Sequence, residues 1–289
     1  MRILLLSIII LISAAIHAQV WTLEKGSIYA NLSLSYGLYN EVFDSTGEVV
    51  EIPVEILDQT VDLFVQYGIT DKLTAQIDVP YKFIRSTGDL YYFNQFEGTP
   101  YLQTGRLNDF GNISAGGIYR IVNDKPIITA SLFVELNTSE RNYLKGMQTG
   151  FNSLGIQPGF GAAWAFPKAW FTFYLGGDIR TNNYSSSVNS KMELGYQPYP
   201  GIYVAGLLTV KQSVGNGGDC DCTTNYTGLY LNDQEFTAFG LKAGYAYKNF
   251  GLNGAYHIGL SGKNLSATPY LSVGLQYKKV LIKPDTPSR

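Results

Sequence analysis

The stretch QTVDLFVQYGITDKLTAQIDVPYKF, residues 59–83, divides into two alternating runs around a tight turn at Thr70-Asp71-Lys72. In the first run Val61, Leu63, Val65, Tyr67 and Ile69 alternate with Thr60, Asp62, Phe64, Gln66 and Gly68. In the second, Leu73, Ala75, Ile77, Val79, Tyr81 and Phe83 alternate with Thr74, Gln76, Asp78, Pro80 and Lys82. A period of two marks strands with two chemically different faces. Each run has about the 9–11 residues a tilted strand needs to cross a bilayer. The stretch therefore reads as one hairpin of an all-β, transmembrane, antiparallel up-and-down β-barrel.

The same alternation recurs along the chain. It predicts a first strand over 27–39, with Ile28, Ala30, Leu32, Leu34, Tyr36 and Leu38 on its apolar face. Further strands are expected at about 109–121, 127–137, 151–165, 170–180, 188–199, 202–212, 234–247, 250–260 and 267–278. The total is about twelve, an even number as in single-chain bacterial barrels. Expected connections alternate long and short, as such barrels do. The segment 40–58 reads as a long acidic loop carrying Glu41, Asp44, Glu48, Glu51, Glu55 and Asp58. Within it Val50, Ile52, Val54 and Ile56 alternate out of phase with Val61 onward, which predicts a bulge near Leu57 with the sheet continuing beyond the bilayer.

Composition agrees. Of 289 residues, 15% are charged and 14% aromatic, with 22 Tyr, 31 Gly and 3 Met, a mixture suited to strands and interfacial rings. A formal net charge of −2 and the lack of a basic run exclude nucleic acid as a partner. Residues 1–18 read as a signal peptide: Arg2, an apolar run from Ile3 to Ala15, and the small Ala18 before the cut. Residues 19–278 are then the barrel and 279–289 a periplasmic tail. The expected location is the outer membrane, with lipid and lipopolysaccharide as partners and a small-molecule solute. The exported N-terminus, 19–26, is expected to be too short to plug a lumen, leaving any gate to the loops.

Register supplies an energetic argument. Asp62, Asp78, Lys82, Arg120, Glu135, Asp178, Arg180, Lys191, Glu193, Lys211 and Lys242 all fall opposite the apolar series. A one-residue slip would turn every one of them to lipid. Each Arg or Lys near the midplane would then cost about 2–4 kcal/mol, and the sum exceeds ordinary net stability. These eleven residues are the lumen-lining candidates, read either as a selectivity lining or as paired residues that fill the bore. Asp178 with Arg180, and Lys191 with Glu193, share faces and are the expected network members. The ring-rich loop holding Tyr91, Tyr92, Phe93, Phe96 and Tyr101 is the candidate gate, or else a cover over the mouth.

No catalytic residue, cofactor or metal site is expected. Cys220 and Cys222, one residue apart with no His nearby, fit a strained local disulfide or a weak metal site. His257 has no Ser two residues on, only Gly259 and then Ser261, so a Ser–His pair is poorly supported.

Tyr67-Gly68-Ile69-Thr70-Asp71-Lys72-Leu73 followed by Asp78-Val79-Pro80-Tyr81 resembles the outer-membrane transporter family named after the MetA pathway of phenol degradation. Leu107-Asn108-Asp109-Phe110-Gly111 and Thr149-Gly150-Phe151 continue the resemblance. It implies a barrel passing small, apolar or aromatic compounds across the outer membrane. The alternative is a barrel without transport, structural or adhesive, whose long loops bind a partner.

Overall fold

The alternating runs close on themselves. In the computed structural model, residues 20–88, 104–142, 145–219 and 227–281 are described. Strands β1 (Ser27–Phe43), β2 (Val49–Gly68), β3 (Leu73–Gly88), β4 (Gly105–Phe110), β5 (Ser114–Val122) and β6 (Ile127–Glu135) form the first half. A small hairpin follows, β7 (Arg141–Asn142) with β8 (Met147–Gln148). The wall then continues as β9 (Gly155–Ala165), β10 (Ala169–Arg180), β11 (Ser187–Tyr199), β12 (Ile202–Ser213), β13 (Glu235–Tyr247), β14 (Phe250–Lys263), β15 (Leu265–Ser266) and β16 (Tyr270–Val280). Every neighbour pair is antiparallel, and β1 pairs with both β2 and β16, so the sheet has no free edge. Because β4 and β5 share one stave and β15 and β16 another, the wall has twelve staves.

The usual distribution of polarity is inverted. Leu32, Leu63, Leu132, Phe160, Leu194, Leu241, Leu252 and Leu275 are exposed on the outside. Asn31, Gln66, Gln76, Thr129, Glu193, Lys242 and Gln276 are buried on the inside. An outer wall of that apolarity suits hydrocarbon, and a closed wall satisfies every ladder amide there. Beside the short turns, Phe166, Tyr199, Tyr247 and Phe250 are exposed rings at one level, as an interfacial girdle requires.

Four expectations need correction. The acidic segment 40–58 is not a loop. Strands β1 and β2 run through it and turn only between Phe43 and Val49, where Asp44 accepts hydrogen bonds from the backbone of Thr46 and Glu48. There is also no bulge at Leu57, which pairs with Leu38 in register. The ladder slips instead between Tyr39/Ile56 and Glu41/Glu51. Ile52, Val54 and Ile56 keep the parity of the inward face and are buried there, so the phase change marks an apolar mouth.

The expected strand 109–121 is broken between Phe110 and Ser114. Opposite the break stands Pro80, which has no N–H to offer the ladder and whose carbonyl accepts from Gly111 N at 2.9 Å. Finally, the strand expected from Phe151 begins at Gly155, and the residues before it fold into the bore.

Candidate functional site

Among the described residues the bore is narrowed at two levels, with a chamber between. At the short-turn end the closure is the segment before β1. Val20, 2% exposed, packs with Ala163 and Tyr174; Trp21 lies against Trp170 and Tyr203; Leu23 packs with Tyr29 and Phe64. Backbone bonds fix the segment: Leu23 N donates to Thr74 Oγ1 at 2.8 Å, Lys25 N to Asp71 Oδ1 at 3.1 Å, and Gly26 N to the Gly68 carbonyl at 2.8 Å. Two glycines make room. A Cβ on Gly68 would meet Glu24 O at 2.0 Å, and one on Gly161 would meet Val20 Cγ2 at 2.8 Å. The expectation that 19–26 is too short to plug the lumen is therefore wrong. Length was the wrong criterion, because Val20, Trp21 and Leu23 bridge to inward-pointing rings that already narrow the bore.

At the opposite end, the segments 145–153 and 227–234 fold inward. Met147, Leu229, Tyr39, Val54, Ile56 and Ile84 form a buried apolar cluster there. Gln148 Nε2 donates to the carbonyls of Leu229 and Tyr230 at 2.9 and 2.8 Å, Tyr39 OH to Thr227 O at 2.7 Å, and Thr227 Oγ1 to Gly146 O at 3.0 Å. Asn112, in the break between β4 and β5, donates to the Phe151 carbonyl at 2.8 Å and accepts from Phe151 N at 2.5 Å. The broken stave thus anchors the inward loop.

Two ionic clusters hold this lid to the wall. Lys82 Nζ donates to Asp58 Oδ2 at 2.9 Å and to Tyr230 OH at 2.6 Å. Burial outweighs the attraction of Lys82 and pushes the Tyr230 hydroxyl above its ordinary pKa, so it stays protonated. Arg180 pairs with Glu135 at 2.7 Å and with Asp178 at 2.7 Å, and its guanidinium lies 3.8 Å from the Phe151 ring centroid. Lys211 Nζ is 5.2 Å from the same ring. Phe151 is held between two cations.

The remaining candidates divide by level. Arg120 lies at the short-turn end, where Nη2 donates to the Asp71 carbonyl; it lines a pocket of about 190 Å³ with Trp21 and Trp170. Lys242 Nζ donates to Glu193 Oε2 at 2.7 Å, and Trp170 Nε1 donates to Glu193 Oε1 at 2.5 Å. Lys191 does not pair with Glu193, its same-face neighbour along β11: Lys242 on β13 and Trp170 on β10 occupy both carboxylate oxygens. Asp62, Asp78 and Lys191 face the central chamber of about 620 Å³. None of these three has an ion pair among the described residues.

Asp58, Phe151 and Tyr230 escaped sequence reasoning. Asp58 continues the even-numbered inward series of Thr60 and Asp62, and that parity was the available signal. Tyr91, Tyr92, Phe93, Phe96 and Tyr101, and likewise Cys220 and Cys222, lie outside the described residues.

Comparison with known proteins places the fold. No protein-family model matches the chain, and no curated protein matches it. Among solved structures, an outer-membrane channel from Pseudomonas putida F1 superposes with a TM-score of 0.69 at 15% identity, covering 92% of this chain and all of that one. The NanC porin gives 0.51 at 10% identity over 86% of this chain and 98% of that one. The translocator domain of the autotransporter NalP from Neisseria meningitidis gives 0.51 at 11% identity, over 87% of each. At these identities the likeness is one of fold: the chain has the architecture of outer-membrane barrels, channels among them.

Proposed function

We propose that this protein is an outer-membrane channel or facilitated-diffusion transporter for small molecules, as the MetA-type resemblance implies, and that its path is the bore. The observation that carries the reading is the chamber of about 620 Å³, walled by polar side chains and placed between two closures. Each closure rests on a few side chains and hydrogen bonds, and no strand need break for either to move. Rigid filling of the bore would have left no such space. On this reading the described conformation is the closed one. Opening then needs the 20–26 segment to leave at one end and the inward loops to rise at the other.

Apolar or aromatic parts of a solute fit the side of the chamber formed by Leu207 and Phe236. The function is non-catalytic. The test is solute-induced swelling of proteoliposomes with sugars, amino acids and phenolics side by side, together with planar-bilayer recording. Solute-dependent swelling supports transport. A silent, solute-impermeable barrel favours the adhesive alternative, for which the projecting acidic hairpin of β1 and β2 would be the contact surface.

A further inference from the structure

Twelve staves place β2 and β3 across the bore from β11 and β12. Asp62 and Asp78 therefore stand on one wall of the chamber and Lys191 on the other. The two carboxyl groups contact one another, yet Asp62 Oδ1 and Asp78 Oδ1 are both buried without a hydrogen-bond partner. Elsewhere in the bore several acids and bases are matched at short range: Asp58 with Lys82, Glu135 and Asp178 with Arg180, Glu193 with Lys242. Partly buried charge left unpaired is costly, and the aspartate pair on one wall and Lys191 on the other have no ion pair among the described residues. Leu207 on β12 and Phe236 on β13 line the same chamber on the Lys191 side, an apolar strip beside the two charged groups.

We propose that the chamber is a binding site for a small zwitterion whose cationic and anionic ends are separated by an apolar stem. Its ammonium donates to Asp62 Oδ1 and Asp78 Oδ1, its carboxylate accepts from Lys191 Nζ, and its stem lies on Leu207 and Phe236. Two carboxyl groups in contact share a proton and present one negative charge; a neutral sugar leaves that charge and Lys191 unmet, a simple anion meets only Lys191, and a simple amine only the aspartate pair. The chamber thus selects on charge separation more than on net charge. This assignment rests on the transport reading for its biological meaning, but not for its measurement.

The test is isothermal titration of the detergent-solubilised full chain with 6-aminohexanoate, hexanoate, hexylamine and glucose. The expected result is saturable binding of 6-aminohexanoate at least tenfold tighter than that of hexanoate or hexylamine, with no heat from glucose. K191M should bring 6-aminohexanoate down to the level of hexylamine while leaving hexylamine unchanged. D62N/D78N should bring it down to the level of hexanoate. Heat-modifiable migration confirms that each variant is folded, and the four-probe comparison on the unaltered protein stands without any variant. Equal binding of the three charged probes, or no binding at millimolar concentration, overturns the proposal. Swelling assays are a separate readout, so transport can fail while the site survives, and the reverse.

Discussion

Val20 offers the sharpest test of the closure at the short-turn end. Its side chain is 2% exposed, wedged against Ala163 and Tyr174 with Gly161 making the space. Burying a valine side chain fully contributes about 1.5–3 kcal/mol, and Val20→Ser forfeits most of that when the segment docks. At about 1.4 kcal/mol per factor of ten, the ratio of undocked to docked segment rises roughly 10- to 100-fold. The two closures act in series, so conduction follows the product of their open fractions, and loosening either one raises it. Gly161→Val attacks the same contact from the wall, since its Cβ would stand 2.8 Å from both Val20 Cγ2 and Thr129 Oγ1. Both variants should raise the frequency of single-channel openings in planar bilayers by an order of magnitude or more. Opening frequencies within twofold of the unaltered protein for both, in barrels that still migrate as folded, would refute the segment as a gate.

Lys242→Met should strand Glu193, whose carboxylate is then held by Trp170 alone. Breaking a buried pair costs about 3–5 kcal/mol, measured by urea unfolding in phospholipid vesicles, and Glu193→Leu added to Lys242→Met should restore much of the loss. Tyr230→Phe removes the hydroxyl that accepts from Lys82 at 2.6 Å. A hydrogen bond to a charged group contributes about 1.5–3 kcal/mol, so amide exchange at 145–151 should accelerate roughly 10- to 100-fold. Leu194→Arg, at a position 65% exposed on the outer wall, should cost about 2–4 kcal/mol in the bilayer. The same unfolding measured in vesicles checks it.

The wall was legible in the sequence because strand parity is local. Val61 to Ile69 and Leu73 to Phe83 announce their two faces without reference to any distant residue, and Lys82, Asp178, Glu193 and Lys242 are buried on the face opposite the exposed apolar series. The contents of the bore were not legible, because they are decided by contacts between residues far apart in the chain. Val20 meets Ala163, Met147 meets Ile56, and Phe151 meets Arg180 and Lys211. No periodicity encodes those meetings. The misreading of Ile52, Val54 and Ile56 has the same root. Their change of phase was read as a bulge, whereas at the mouth the inward face is itself apolar because the lid packs on it. Pairing choices also resist local reading: Lys191 and Glu193 share a face, but Glu193 is taken by Lys242 two staves away.

The central claim is that even-numbered side chains of β11 face hydrocarbon while odd-numbered ones face the bore. Collisional accessibility of single nitroxide labels at each position from 188 to 196, with Cys220 and Cys222 replaced by serine, measures it directly. Oxygen accessibility should peak at positions 188, 190, 192, 194 and 196 and fall at 189, 191, 193 and 195. A profile without a two-residue period, or one peaking at positions 191 and 193, would contradict the account.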